Sequence, residues 1–186
     1  MKVCVFYYDN FGEFEVVYTF SQFSDHIETV ALEDKIYMSE EKLKFKPDRT
    51  ISELDPSEID LFIIPGGDPS YLYSNKILKD FLLKLKENEK YIAAICGGTE
   101  LLAYHSILDG KRCTGDSSGL KQNAEYINLF HKANIVEEDV VIDGNIITAT
   151  GQAYGEFVIE LGKLMEVYNN EEEIKTDYRW FKNIRD

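Results

Sequence analysis

At positions 91–103 the chain reads YIAAICGGTELLA, a strand-like apolar run that passes through Cys96 into a helix-like run. A cysteine at a sharp strand-to-helix turn is lifted clear of the sheet, and the small residues Gly97 and Gly98 leave room for a substrate. The first free N–H groups of the helix and the positive end of its dipole point at the sulfur, which favours the thiolate. The pattern predicts a nucleophile. The alternative is a buried cysteine that packs at the end of a core strand.

Composition limits the classes of function. The length of 186 residues suits one domain, 1–186, and 44% hydrophobic with 13% aromatic residues excludes a disordered acidic chain. The net charge of −14 argues against nucleic acid and anionic membranes as partners, because no basic patch is available to neutralise phosphates. No apolar run is long enough to span a membrane, so we expect no membrane partner.

The three cysteines, Cys4, Cys96 and Cys113, form no pairing framework, and their odd number favours free thiols in a reducing compartment. The first residues lead straight into an apolar strand, so we expect no signal peptide and a cytoplasmic location. We expect no cofactor and no metal ion, and the expected partner is a small-molecule substrate.

Strand-like and helix-like segments alternate along the chain, which predicts an α/β fold with a mainly parallel sheet covered by helices on both faces. The predicted strands are 2–8, 26–32, 59–64 and 91–95, with short extended pieces in 42–54 and a hairpin of 135–142 and 145–150 around Asp143-Gly144. The predicted helices are 12–23, 75–86 and 153–168.

Helical spacing also predicts which side chains are buried. The predicted inward faces consist of Phe14, Val17 and Tyr18 in the first helix, of Ile77, Leu78, Phe81, Leu82 and Leu85 in the second, and of Phe157, Val158, Leu161, Leu164, Met165 and Tyr168 in the third. The charged segment 169–186 is expected to form a terminal helix packed by Tyr178, Trp180 and Phe181. An exposed contact surface is the alternative for that segment.

Ligands gather at the carboxyl ends of parallel strands, so three stretches should meet at one edge of the sheet. They are 9–15 after the first strand, 65–69 after the strand at 59–64, and the turn at Cys96. A carboxylate, a bare Gly-Gly backbone and a thiol suit nucleophilic chemistry there, with the Gly67 and Gly97 amides available to stabilise an oxyanion.

Two glutamates compete for the role of that carboxylate. Glu13 also suits the first turn of a helix, where acidic side chains interact favourably with the dipole. Because Phe14 and Val17 set the predicted buried face and Glu15 lies beside that face, the sequence favours Glu15.

These stretches resemble the ThiJ/PfpI superfamily, whose fold is related to class I glutamine amidotransferase domains. The matching pieces, in the family's order, are DNFGEFE at 9–15, IIPGG at 63–67, AAICGG at 93–98, LDGKR at 108–112 and TATGQA at 148–153, followed by Phe157. The resemblance implies a flavodoxin-like three-layer sandwich with a nucleophile-elbow cysteine, usually assembled as a homodimer. It also implies a reactive cysteine, Cys96, beside a protonated glutamate, Glu15.

Two departures limit what the resemblance implies. Family members proposed to be peptidases carry a histidine directly after the cysteine, where this chain has Gly97. The human stress-response branch carries a histidine in the loop after the next short strand, whereas positions 113–116 here read CTGD. His26 and His105, the latter about 13 Å along the helix axis from the cysteine, are predicted to be structural, and His131 cannot be placed. A Cys-His-acid triad is therefore not predicted.

The sequence predicts a cysteine-dependent enzyme, glyoxalase- or hydrolase-like, that acts on a small electrophilic carbonyl or amide such as a 2-oxoaldehyde or its adducts. Cys96 attacks, Glu15 relays the proton, and the Gly67 and Gly97 amides hold the oxyanion. A helix N-terminus lowers a thiol pKa by no more than ~1.5, so we expect a neutral Glu15 to donate a hydrogen bond to the thiolate. The alternatives are a redox-sensing or stress-response regulatory protein in which Cys96 is reversibly oxidised, and a fold retained for binding alone.

Overall fold

The computed structural model describes residues 1–185. In chain order the strands are β1 Val3–Tyr7, β2 Ile27–Ala31, β3 Tyr37–Met38, β4 Lys44–Phe45, β5 Arg49–Thr50, β6 Leu61–Ile64, β7 Tyr91–Ile95, β8 Arg112–Cys113, β9 Asn134–Ile135, β10 Val140–Asp143 and β11 Ile146–Ala149. The α-helices are α1 Val17–Phe23, α2 Lys76–Glu87, α3 Gly98–Tyr104, α4 Tyr154–Leu164 and α5 Glu171–Phe181.

Seven strands form the central sheet in the order β10-β11-β7-β6-β1-β2-β5. Each neighbouring pair is parallel except β10 and β11, which form the antiparallel hairpin at one edge. β3 pairs with β4 and β8 with β9 in two small separate sheets. The prediction of a mainly parallel α/β sheet is confirmed.

Two helical layers cover this sheet. The connection from β1 through α1 runs to β2, whereas the connection from β6 through α2 runs the opposite way along the sheet to β7. Because parallel crossovers are right-handed, opposite directions place α1 and α2 on opposite faces. The connection from β7 through α3 to β11 runs in the same direction along the sheet as the connection through α2. α4 packs against α1. The result is the predicted three-layer, flavodoxin-like arrangement, in which the loops after β1, β6, β7 and β11 share one edge.

The prediction of which side chains the first helix buries is wrong. A short 3-10 helix, Glu13–Glu15, precedes α1, and it buries both glutamates. Phe14 is 45% and Val17 48% exposed, and Tyr18 is only partly buried. A 3-10 helix has three residues per turn instead of 3.6, so the face calculated for one continuous α-helix does not apply to this segment.

Two smaller predictions also need correction. In α2 the predicted inward residue Ile77 is 55% exposed, although the other four apolar residues of that face are buried. In the hairpin, Asp143 pairs with Ile146, so the two-residue loop lies one residue later than predicted and begins with Gly144 at φ 66°. A glycine accepts that left-handed conformation without strain.

The C-terminal segment forms the predicted terminal helix, α5, which packs along α4, but the predicted packing residues Tyr178 and Trp180 are 45% and 62% exposed. The ring of Phe181 lies directly over Gly155, where a Cβ atom would come within 2.8 Å of it. Phe181 and Trp180 also meet the ring of Tyr18 edge-on, at 5.0 and 5.3 Å between centroids. Asp186, the last residue of the predicted tail, lies outside the described residues. Within 1–185, no helix has both the length and the apolarity to cross a membrane.

Candidate active site

The turn at Cys96 has the strained geometry of a nucleophile elbow. The Cys96 N–H donates to the Ala149 carbonyl at 2.9 Å, which extends the pairing of β7 with β11 to the last residue before the turn. The backbone then takes φ 55° at Cys96, a conformation that costs a non-glycine residue energy and so needs support from its surroundings. The Thr99 hydroxyl supplies part of that support by donating to the Cys96 carbonyl at 2.8 Å.

Glu15 reaches the sulfur from the loop after β1. Its Oε2 accepts a hydrogen bond from the Gly66 N–H at 2.6 Å, and its carboxyl shares a hydrogen bond with the Cys96 thiol. The Tyr8 hydroxyl fixes the Gly66 carbonyl at 2.5 Å, so the donor that orients Glu15 is itself held in place. The structure thus brings together the two predicted site residues from two separate strands.

Glu13 lies in the same 3-10 helix but belongs to a different group of contacts. Its carboxyl lies near the side chains of Ser39 and Glu41 rather than the thiol, and its buried Oε2 atom has no hydrogen-bond partner. The structure places Glu15, and not Glu13, beside the thiol, although the buried face that led to this choice is absent. The 3-10 helix, and not the predicted amphipathic α-helix, turns Glu15 toward Cys96.

Glycines enclose the pair closely. A Cβ atom on Gly151 would lie 2.8 Å from Glu15 Oε1 and 3.0 Å from Cys96 Sγ. A Cβ atom on Gly66 would lie 2.5 Å from the Cβ atom of Cys96. Both positions lie within motifs quoted from the sequence, yet their contact with the reacting groups depends on how β6 and β11 flank β7. Sequence reasoning did not assign them to the site.

Gly67 and Gly97, the predicted oxyanion donors, line the same open cleft as Cys96, which has a volume of about 560 Å³. Gly67 has φ 109°, which requires glycine, and it forms an isolated bridge with Phe11. The Gly97 N–H is directed at the sulfur. The Gly97 amide therefore lies beside the thiol, and the backbone of Gly67 is fixed on the same cleft.

Burial raises the pKa of both members of the pair. Desolvation lifts the pKa of Glu15 to about 7, although its hydrogen bonds with Cys96 and Gly66 act in the other direction. Desolvation and then the charge of Glu15 raise the pKa of the Cys96 thiol to about 12, and the Gly97 N–H offsets this only in part. The raised pKa of Glu15 agrees with the expected protonated glutamate, whereas the raised pKa of Cys96 is opposite to the expected thiolate. A helix terminus contributes too little to overcome burial next to a carboxylate.

The sequence model of the DJ-1/PfpI family matches residues 1–164, which include every element of the central sheet and all of these site residues. The chain belongs to the DJ-1/PfpI family. Its fold is also that of the DJ-1 superfamily protein STM1931 from Salmonella typhimurium, whose crystal structure superimposes with a TM-score of 0.81 at 22% identity and covers 95% of this chain and 97% of that one.

Two of the curated relatives are named as a putative cysteine protease and a deglycase. The putative cysteine protease YraA of Bacillus subtilis is 36% identical over 107 residues, which are 57% of this chain and 60% of YraA. The chain thus spans less than two thirds of the length of that relative. The deglycase PfpI of Pyrococcus furiosus is 24% identical over 153 residues, 80% of this chain and 89% of PfpI.

None of the three histidines lines the cleft within the described residues 1–185. His105 is buried at the end of α3, and its Nε2 atom has no hydrogen-bond partner. His131 is exposed and its Nδ1 atom contacts the Asn128 carbonyl at 2.9 Å. This DJ-1/PfpI chain therefore presents a cysteine–glutamate pair in its cleft, without a Cys-His arrangement.

Four further carboxylates line the cleft, and sequence reasoning missed them as site residues. They are Glu40, Asp68, Glu100 and Asp116. They come from four different segments. Asp68, Glu100 and Asp116 lie within stretches quoted from the sequence, but their side chains were not assigned to the site, and Glu40 lies outside those stretches. Across residues 1–185, no group of three or more His, Cys, Asp or Glu side chains is arranged to hold a metal ion.

Proposed function

We propose that this chain is a cysteine-dependent enzyme that acts on small electrophilic carbonyl or amide substrates. The observation that carries the proposal is the Cys96 thiol, held at φ 55° on the floor of an open cleft and hydrogen-bonded to the buried carboxyl of Glu15. The names of relatives, a cysteine protease and a deglycase, support chemistry at a carbonyl carbon.

In this mechanism Glu15 acts as the general base. Above about pH 7 the pair carries one negative charge on the carboxyl and one proton on the sulfur, since the pKa of Glu15 is about 7 and that of Cys96 about 12. A base whose pKa lies near the operating pH transfers protons efficiently. As the sulfur bonds to the carbonyl carbon, its proton moves to Glu15. The π electrons of the carbonyl move to its oxygen, where the Gly67 and Gly97 N–H groups stabilise the charge.

The second half of the reaction depends on the substrate. With a 2-oxoaldehyde, Glu15 protonates the oxyanion and then moves the aldehydic hydrogen, as a proton, to the neighbouring carbonyl carbon, which leaves a thioester. With an amide, Glu15 passes its proton to the nitrogen as the C–N bond breaks, which also leaves a thioester. Water then hydrolyses the thioester to the acid and restores the thiol, so neither route needs an external oxidant.

The raised pKa of the Cys96 thiol does not favour a redox sensor. Peroxide oxidises thiolates rather than thiols, and burial beside Glu15 raises the pKa of Cys96. The homodimer and the cytoplasmic location stay predictions from the family resemblance and the free cysteines.

The test is turnover by the purified chain of a panel of 2-oxoaldehydes and small amides, with the acid product identified by mass spectrometry. We expect at least one substrate to be converted, and Cys96→Ala to fall to the uncatalysed rate. Cys113→Ala is the matched control, because Cys113 is wholly buried in β8 and should leave turnover unchanged. Equal product formation by wild type and Cys96→Ala would refute the proposal.

A further inference from the structure

The cleft around Cys96 is negatively charged on several sides. Its lining includes five carboxyl side chains, those of Glu15, Glu40, Asp68, Glu100 and Asp116. Within residues 1–185, no lysine, arginine or histidine side chain lines it. The site itself is defined by the thiol and its glutamate. The remaining carboxylates decide which charge a molecule must carry to approach that thiol.

Two of these carboxylates are held in position by neutral donors. The Tyr73 hydroxyl donates to Glu100, and the Tyr126 hydroxyl donates to Asp116. The Ser117 N–H adds a second bond to Asp116 at 2.6 Å. Hydroxyl and amide donors fix the orientation of a carboxylate without cancelling its charge, so the negative potential of the cleft persists.

One cation lies near this group, and it is weakly placed. Lys121 Nζ is 3.9 Å from Asp116 Oδ2, and the lysine side chain is 58% exposed. An ion pair of that length between a solvated side chain and a carboxylate contributes little and competes poorly with a bound cation. Asp116 therefore remains available to a ligand.

Two aromatic residues also line the cleft. Phe14 and Tyr154 both line it, with their rings edge-to-face at 6.0 Å between centroids, and Phe14 is partly exposed to the cleft. Aromatic faces attract ammonium and guanidinium groups through the negative charge above the ring. Carboxylates and aromatic rings, which both line this cleft, are the two kinds of group that recognise organic cations.

We infer that the substrate of Cys96 carries a positive charge, an ammonium or guanidinium group, next to its electrophilic carbon. The inference rests on the proposed function and names the substrate class within it: cationic carbonyl compounds or amides rather than anionic ones such as 2-oxo acids. The cation lies between the carboxylates of Glu100 and Asp116 and the ring of Phe14, while the carbonyl carbon faces the sulfur.

The test measures how fast Cys96 reacts with three methanethiosulfonates that carry a trimethylammonioethyl, a 3,3-dimethylbutyl or a sulfonatoethyl group. The first two have the same shape and differ in charge. Each rate is divided by the rate of the same reagent with a free small thiol, and mass spectrometry identifies Cys96 as the modified residue. We expect the cation to react about tenfold or more faster than its neutral isostere, and the anion about tenfold or more slower. Equal normalised rates for the three reagents would overturn the inference.

Variants locate the source of this preference. Glu100→Gln and Asp116→Asn should each reduce the ratio of cationic to anionic rates several-fold. Glu58→Gln removes the same charge from the exposed segment before β6, at the opposite edge of the sheet, and should leave the ratio unchanged. An equal reduction in Glu58→Gln would assign the preference to the net charge of the whole chain and overturn the inference.

The labelling needs no turnover, so its failure is distinguishable from failure of the proposed function. A chain that converts neutral carbonyls but labels without charge preference refutes the cationic substrate alone. A chain that prefers the cationic reagent but converts no substrate supports the charge selection of the cleft and refutes the enzyme.

Discussion

Cys4 and Cys96 each contact a glutamate, and the two pairs lie in different regions of the same sheet. Cys4 faces Glu28 across β1 and β2, with 3.6 Å between Sγ and Oε1, inside a regular and wholly buried strand. Cys96 meets Glu15 at the carboxyl edge, where the chain turns into α3 beside an open cleft. Burial, followed by the neighbouring glutamate, raises the pKa of each thiol to about 12.

The difference lies in the glutamates. Lys2 Nζ is 3.2 Å from Glu28 Oε1 and compensates the negative charge of that carboxylate. Glu15 is buried, and Glu40 and Glu41 add negative charge around it, which lifts its pKa to about 7. A thiol–carboxyl contact alone is thus not a catalytic site. Access to the sulfur and an uncompensated carboxyl distinguish the pair at the edge.

The largest difference between the pairs is expected from the substitution of each glutamate by glutamine. Glu15→Gln should lower turnover by about 10²-fold or more, because an amide cannot accept the thiol proton. The same change removes a negative charge beside Cys96, so the pKa of the thiol should fall and its alkylation by iodoacetamide at about pH 8 should become faster. Turnover and alkylation rates of the purified variant test both statements.

Glu28→Gln is the matched control. It makes the same chemical change beside the other thiol and should leave both the turnover and the alkylation of Cys96 at the wild-type values. A Glu15→Gln variant that retains full turnover, or one in which Cys96 alkylates more slowly, would contradict the general-base assignment.

The next expected effect concerns stability and pH. The pKa of Glu15 is about 7 in the folded chain against an ordinary 4.5, so between these values the folded state holds a proton that the unfolded state releases. Stability should therefore fall as the pH rises from about 4.5 to 7, by up to about 3 kcal/mol from this group. Urea unfolding at both ends of the window should show this contribution absent in Glu15→Gln and retained in Glu28→Gln. Parallel pH profiles for Glu15→Gln and wild type would be inconsistent with a buried, protonated Glu15.

The smallest expected effect is the order of thiol labelling. Cys96 should react with iodoacetamide about tenfold or more faster than Cys4 or Cys113 in the folded chain, since the latter two are wholly buried and react only when the sheet opens. Mass spectrometry of partly labelled protein measures the order, and denaturant should make the three rates converge. Labelling of Cys113 before Cys96 in native conditions would show that the turn at Cys96 is closed.

Much of the fold could be predicted from the sequence, because the strands of a buried parallel sheet are continuous apolar runs. The segments that became β1, β6 and β7 were recognisable for that reason. The face of the first helix could not be predicted, since nothing local signals that residues 13–15 form a 3-10 helix before α1 begins. Because of this 3-10 helix, Phe14 is exposed, whereas Glu13 and Glu15 are buried.

Four residues of the cleft could be predicted because each lies in a short stretch that follows a recognisable parallel strand. They are Cys96, Gly97, Glu15 and Gly67. Glu40, Glu100 and Asp116 could not be assigned, because each looks like an ordinary surface acid and only the folded chain brings them to one cleft. The prediction of a lowered pKa for the Cys96 thiol was wrong for a related reason. Burial at the turn raises this pKa, and the depth of burial is a property of the whole sheet edge.

The packing of the Phe181 ring against Gly155 has a consequence for how the sequence can change over evolutionary time. The family model matches residues 1–164, and α5 lies beyond them, yet Phe181 on α5 constrains a position inside the matched region. While the terminal helix is retained, any side chain at position 155 collides with the aromatic ring. Once the helix is lost or its aromatic residue is replaced, position 155 becomes free to vary. Related sequences should therefore show glycine at 155 together with a bulky residue at 181, and should lose the two together.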